Sequence, residues 1–293
     1  MPIIETKQLT KFYGAVCGID KIDLCVGAGE FFGFIGPNGS GKSTAIRTLL
    51  GLIQPTSGEA KIFNKDIQTH QTEILKEIGY MPSEAMFYDG MRVKDILKLS
   101  AKLHKKDCAH EAAHLCERLK LDINKKVETL SLGNRKKVSI VCALQHKPAL
   151  YILDEPTSGL DPLMQKEFFT ILNERHSEGA TIFLSSHVLT EIQQHCERAA
   201  IIRNGKIIAC DTTENLAKSS AKKITLTGTN EVPSINGVSN IEGHETHVQF
   251  LYSGPIKALL TAIEPLPFSD LTIGEPSLED MFLHYYSEGS NDE

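Results

Sequence analysis

One short stretch limits what this chain can fold into more than any other: Gly36-Pro37-Asn38-Gly39-Ser40-Gly41-Lys42-Ser43-Thr44. Its spacing is G-x-x-x-x-G-K-[ST]. Apolar Phe31-Phe32-Gly33-Phe34-Ile35 precedes it, and helix-forming Ala45-Ile46-Arg47-Thr48-Leu49-Leu50 follows. A buried strand that turns sharply into a helix lets backbone N–H groups converge on one point, and glycines permit the turn because no Cβ intrudes. The helix start adds its positive end, so the turn is a cradle for phosphate. Lys42 is placed to reach the β- and γ-phosphates of a nucleotide, and the Ser43 hydroxyl to bind Mg²⁺.

Strand character recurs at 3–9, 19–26, 60–63, 149–153 and 180–184. The last two runs are almost wholly apolar, as in parallel strands covered on both faces. Before them, from about 84 to 146, the pattern turns helical. Val93, Ile96, Leu97, Ser100 and Leu103 share one helix face, and Ala112, Leu115, Cys116 and Leu119 another. This predicts a helical insertion in an α/β core. Asn204-Gly205 between Ala199-Ala200-Ile201-Ile202 and Lys206-Ile207-Ile208-Ala209 predicts a hairpin. Beyond about Ser219, Gly, Asn, Ser and Thr become frequent and short alternating pieces follow, such as Thr246–Leu251. Residues 220–287 read as a small α+β appendage, and 287–293 as a polar tail.

Bulk properties exclude several classes. A chain of 293 residues accommodates one large domain and a small one. The net charge of −6 and the lack of a basic stripe argue against nucleic acid as a partner. Seven cysteines, an odd number, with no C-x-x-C pair, predict a reducing compartment rather than a disulfide framework. The N-terminus lacks the pattern of a signal peptide, and no apolar run approaches the length of a membrane span. A membrane role would therefore use a span supplied by another chain, with this one on the cytoplasmic face.

A second element belongs to phosphate chemistry. Leu150-Tyr151-Ile152-Leu153-Asp154-Glu155 is an apolar strand ending in two carboxylates. Asp154 falls at the carboxyl edge of the sheet, where an acidic residue holds Mg²⁺ in P-loop NTPases. Glu155, next along, would face the attacking water as general base, a role worth roughly 10²–10⁴-fold in rate.

With these elements in place, the chain resembles the nucleotide-binding subunit of an ABC transporter. Leu130-Ser131-Leu132-Gly133-Asn134 is similar to the L-S-G-G-Q signature and is followed by the basic pair Arg135 and Lys136. Ser158-Gly159-Leu160-Asp161 matches the D-loop, and His187 after Ser185-Ser186 the switch histidine. Lys11-Phe12-Tyr13-Gly14 matches the adenine-stacking loop, with Tyr13 as the aromatic. The motifs occur in family order over residues 3–218.

The resemblance implies a P-loop NTPase (RecA-like) α/β core with an antiparallel β subdomain and an inserted helical subdomain at about 84–148. Together these form a nucleotide-binding domain at 1–219, and the accessory domain occupies 220–293. It also implies ATP and Mg²⁺ as cofactors, a membrane permease as partner, and a second cassette, most simply an identical one. In the family, the Ser131–Gly133 site meets the γ-phosphate held by the other cassette. Ser131 is a good helix N-cap, so hydroxyl and helix start together make an anion site.

Two departures stand out. The family usually has glutamine after the Y-x-P motif, and here Tyr80-Met81-Pro82 is followed by Ser83 and Glu84. Serine is too short to copy glutamine, so a bridging water or Glu84 is expected to substitute. This departure also leaves open a module that binds ATP and scarcely hydrolyses it. The signature has Leu132 and Asn134 in place of Gly and Gln.

Three weaker signals remain. His110 and His114, four apart with Cys108 nearby, have a spacing that binds Zn²⁺, although most such pairs are solvated. Met86, Phe87, Tyr88 and Met91 form an apolar patch, either core or the surface that meets the permease. Pro276–Tyr286 resembles the tail of multidrug-type exporter ATPases.

Overall fold

The structure is a computed structural model that describes residues 1–84, 86–218, 222–243 and 246–274. The chain divides into two compact units, Met1–Cys210 and Asp211–Glu293. The expected boundary at 219 falls after α8 (Thr213–Lys218), which lies in the second unit.

The first unit is organised by β3 (Phe31–Ile35), the strand before the glycine turn. All five of its residues are buried. It pairs in parallel with β8 (Thr181–Ser186) on one side and β9 (Arg198–Arg203) on the other. Next to β8 lies β7 (Leu150–Asp154), and then β6 (Ile78–Met81), both parallel. With β10 (Lys206–Thr212) on the far edge, the sheet order is β10-β9-β3-β8-β7-β6. Near-continuous apolar strands suit this position because helices or other sheets cover both faces. Strand β6 carries no long apolar run of its own, and it was not expected from the sequence.

Phe32, Phe34, Ile152, Phe183 and Ile202 join one core with Ala45, Ile46 and Leu49 of α1 (Lys42–Leu49). The opposite face of β3 meets α7 (Leu189–His195) so closely that a Cβ on Gly33 would come 2.7 Å from Ile192.

A second, antiparallel sheet of the same unit has the order β2-β1-β4-β5. It comprises β1 (Pro2–Tyr13), β2 (Val16–Gly27), β4 (Ser57–Ile62) and β5 (Lys65–Asp66). Ile4, Leu9, Ile19, Ile22 and Ile62 bring its apolar face into the same core. Between α2 (Gln71–Lys76) with β6 and the return to β7 come α3 (Val93–Leu103), α4 (Ala109–Arg118) and α5 (Leu132–Leu144), the helical insertion expected from the sequence. Helix α6 (Pro162–Ser177) is capped by Asp161, whose carboxylate accepts from Met164 N–H at 3.0 Å, and it has proline at its first turn. Both features favour a helix start, since the cap satisfies a free N–H and proline needs none.

The second unit has its own antiparallel sheet, β12-β13-β11-β14, formed by β11 (Lys222–Thr227), β12 (Val238–Gly243), β13 (His247–Tyr252) and β14 (Asp270–Gly274). Helix α9 (Ile256–Ile263) packs Leu259 and Ile263 against Ile224, Leu226, Val248 and Phe250. The segment Pro276–Tyr286 and the polar tail lie outside the described residues.

Candidate functional site

Three separate contacts shape the glycine turn. A Cβ on Gly36 would lie 2.3 Å from Ile202 O, so only glycine fits beside β9. Gly41 has φ 107° and its Cβ would meet Gly18 O of β2 at 2.4 Å, so strain and space both demand glycine there. Gly205 N–H donates to Ser40 O at 2.8 Å, tying the tip of the β9–β10 hairpin to the turn. Gly41 is also the N-cap of α1 and offers no side-chain bond. The first N–H groups of α1 are thus uncapped by any side chain, the condition for binding an anion.

Lys42 is nearly fully buried. Its Nζ donates to Gly36 O at 2.7 Å and to Pro37 O at 3.1 Å, and pairs with Glu155 Oε1 at 3.1 Å. Glu155 Oε2 in turn lies 3.0 Å from His187 Nδ1, which donates to it. So the end of β7, the end of β8 and the start of α1 place a lysine, a carboxylate and an imidazole in one chain of contacts.

Register explains the meeting. Asp154 stands opposite Ser185, and Ile35 opposite Ser186, so the carboxyl ends of three parallel strands are level. Glu155 is held with φ 47°, in the left-handed region that non-glycine residues avoid. Ser185 holds it there: both Ser185 O and Ser185 Oγ accept from Glu155 N–H at 3.1 Å. The same hydroxyl donates to Asp154 Oδ1 at 2.7 Å. Ser185 is therefore a positioning residue for both carboxylates. Its signal in the sequence was a hydroxyl at the polar end of an otherwise apolar strand.

Asp154 is buried, and its second oxygen Oδ2 has no protein partner. A buried carboxylate oxygen is costly unless something binds it. Together with the Ser43 hydroxyl it offers hard oxygen donors of the kind Mg²⁺ prefers, so the residues fit that ion.

A cleft of about 290 Å³ opens beside the turn. Tyr13 and Cys17 of the first hairpin line one wall, Asn38, Gly39, Gly41, Lys42, Ser43 and Thr44 the other, and Glu155 one end. Tyr13 is about half exposed, with Lys11 Nζ 5.4 Å from its ring centre. The ring is therefore open to the cleft and is not part of the apolar core.

Ser131 and Gly133 lie elsewhere and do not line this cleft. Ser131 is the N-cap of α5 and accepts from Asn134 N–H at 3.4 Å. A Cβ on Gly133 would come 2.8 Å from Gly159 O, so the signature and the D-loop touch. Both signature residues are at least partly exposed, so a second molecule has access to them.

Burial distinguishes two further groups of residues. His110 and His114 are exposed and Cys108 is buried, and among the described residues no group of three or more potential ligands is arranged to hold a metal. His110 and His114 thus lie on a solvated face of α4. Lys136, the second residue of the basic pair after the signature, is 2% exposed, and its Nζ donates to Ser83 O at 2.6 Å. Burial pulls its ammonium below the ordinary lysine value, while Asp154 and Glu155 act to hold it up.

Comparison with known proteins agrees with this architecture. The family model for ABC transporters matches residues 19–158. The bacitracin transport ATP-binding protein BcrA of Bacillus licheniformis is 34% identical over 98% of this chain and 98% of its own length. The chain belongs to the ABC transporter ATP-binding family. It is also 33% identical to the probable multidrug ABC transporter ATP-binding protein YbhF of Escherichia coli, over 75% of the chain but only 39% of that longer relative. Among solved structures, an ATP-binding subunit of an ABC transporter is 30% identical with a TM-score of 0.69, covering 74% of this chain and 92% of that one. A dimeric cassette in a post-hydrolysis state with ADP and Pi shares the fold at 23% identity and a TM-score of 0.65, covering 72% of this chain and 98% of that one. The chain is thus an ABC ATPase with a P-loop NTPase core. No helix among its described residues is long and apolar enough to cross a membrane.

Proposed function

We propose that this ABC ATPase is the motor subunit of an exporter, in which ATP closes a dimer of cassettes and hydrolysis reopens it, with a separate permease spanning the membrane. The observation that carries the reading is Glu155 held between Lys42 Nζ and His187 Nδ1 at the end of the phosphate cleft.

The uncapped N–H groups of Gly41 and α1 bind the phosphates, and Tyr13 stacks on the base. Base stacking on an aromatic is worth roughly 1–3 kcal/mol in other systems. Lys42 now gives its three donors to two carbonyls and Glu155. A triphosphate competes for that ammonium, and Glu155 is released to face the attacking water and take its proton. His187 stays within reach of Glu155 and of the terminal phosphate. Ser43 and Asp154 would hold Mg²⁺, which when bound would neutralise phosphate charge. Ser131 and Gly133 reach the nucleotide of the second copy.

Export is supported by likeness to a bacitracin transport and a probable multidrug ATP-binding protein. Met86 and Tyr88 are strongly exposed, which favours the permease-facing reading of that patch over core packing. The working site is then the cytoplasmic face of the cell membrane.

The variant E155Q should bind Mg-ATP with parental affinity, lose turnover by about 10²-fold or more, and accumulate as a closed dimer in size-exclusion chromatography with light scattering. Parental turnover in E155Q removes Glu155 as the base. A parent that binds ATP without turnover, even with its permease, points instead to a regulatory binding module.

A further inference from the structure

Arg135, Lys136 and Lys137 are consecutive cations on α5, yet only Lys136 is buried. A buried lysine is uncommon and costly, and the first turns of a helix are the wrong end of its dipole for a cation. Something must offset that cost. Among the described residues the ammonium makes one hydrogen bond, to Ser83 O at 2.6 Å.

Ser83 is the position where serine stands in place of the longer glutamine usual in the family. It follows β6, which runs beside β7 with Met81 opposite Leu153, so the loop after β6 starts level with Asp154. A main-chain carbonyl is what Ser83 offers, and Lys136 is what takes it.

We propose that Lys136 is a positioning residue: from helix α5 it clamps the loop after β6, through the Ser83 carbonyl, to the signature helix, where a longer side chain at Ser83 would otherwise hold that loop to the site. This inference rests on the proposed function. Its consequence is mechanical. Ser131 caps the same helix just over one turn before Lys136, so a shift of the loop beside one nucleotide reaches the residues that meet the other. A lysine does this where serine cannot because its four-carbon stem spans the distance through apolar packing and delivers charge at the far end.

The test measures kcat, ATP KM and the dissociation constant of a fluorescent ATP analogue for the full chain in complex with its permease. In K136M, kcat should fall about tenfold or more, with nucleotide affinity within about threefold of the parent. K136R, which keeps donor and charge, should stay within about threefold of the parental kcat, and adding S83Q to K136M should recover part of the loss. Should K136M fail to fold, K136Q carries the same reading, being polar but uncharged. A parental kcat in K136M overturns the proposal. So does a loss shared equally between kcat and affinity, or a K136R as impaired as K136M at an unchanged melting temperature. Parental turnover and its loss in E155Q check the function itself, so an unaffected K136M against that background sinks this inference alone.

Discussion

At the scale of single residues, the site is made by placing groups where they are costly. Glu155 sits in left-handed backbone, Lys42 and Lys136 are buried cations, and Asp154 has an unpartnered buried oxygen. Such costs cluster where chemistry needs them. His146 shows the same logic in a structural role. It is buried, stacks on His104 with ring centres 3.6 Å apart, and donates from Nε2 to Ile78 O at 3.2 Å. Burial, with His104 beside it, pushes the imidazole down from 6.5 to about 4. The unfolded chain therefore takes up a proton below its ordinary pKa of 6.5, while the folded chain resists until about 4. The stability tied to the neutral ring is full above 6.5 and is lost as pH falls toward 4, on the order of 3 kcal/mol at most. H146F should thus lie below the parent in urea stability at about pH 7.5, and the gap should narrow by about pH 4.5. A constant gap would mean that the ring is not held neutral.

At the scale of elements, helix ends decide what each helix can do. Helix α1 begins with a bare glycine cap and so keeps its N–H groups for an anion, whereas α6 spends one of its own on Asp161. Helix α5 begins on Ser131, whose bond to Asn134 is long at 3.4 Å. A weak cap leaves the hydroxyl available to an incoming phosphate. S131A should therefore cost about 1 kcal/mol or less in stability, with little change in nucleotide affinity. In an E155Q background it should weaken the Mg-ATP-dependent dimer at least about tenfold, read by sedimentation equilibrium. Unchanged dimer affinity would leave Ser131 as a cap and nothing more. The helical insertion is fastened to the core by charge: Arg118 of α4 bonds Glu167 and Glu174 of α6, and Arg175 of α6 bonds Glu111 of α4. These bonds fix the spatial relation of α4 to α6.

At the scale of the whole molecule, each unit has its own apolar core, so each is a separate account of stability. Phe250 is fully buried in the second unit among Ile224, Leu226 and Leu259. F250A should cost about 3–5 kcal/mol in that unit and appear as an early calorimetric transition. ATP affinity should hold within about twofold, since the phosphate cleft is built wholly from the first unit. A matching collapse of ATP affinity would show that the two cores are coupled.

Much of the fold follows from short-range rules. The glycine turn, the apolar parallel strands, the Asn204-Gly205 hairpin and the amphipathic helices of the insertion are all patterns within a few residues. Strand β6 escaped because Ile78–Met81 is too short for a pattern and is a strand only because β7 lies beside it. The motif residues Lys42, Asp154, Glu155 and His187 could be singled out by type and spacing, and the structure brings them to one sheet edge. What spacing cannot carry is the meeting of distant segments. That Lys42, Glu155 and His187 touch, that Ser185 holds both carboxylates, and that Lys136 turns inward to Ser83 are decisions of strand register and helix packing. Those decisions arise from burying several elements against one another at once, an energy that no local stretch of chain contains.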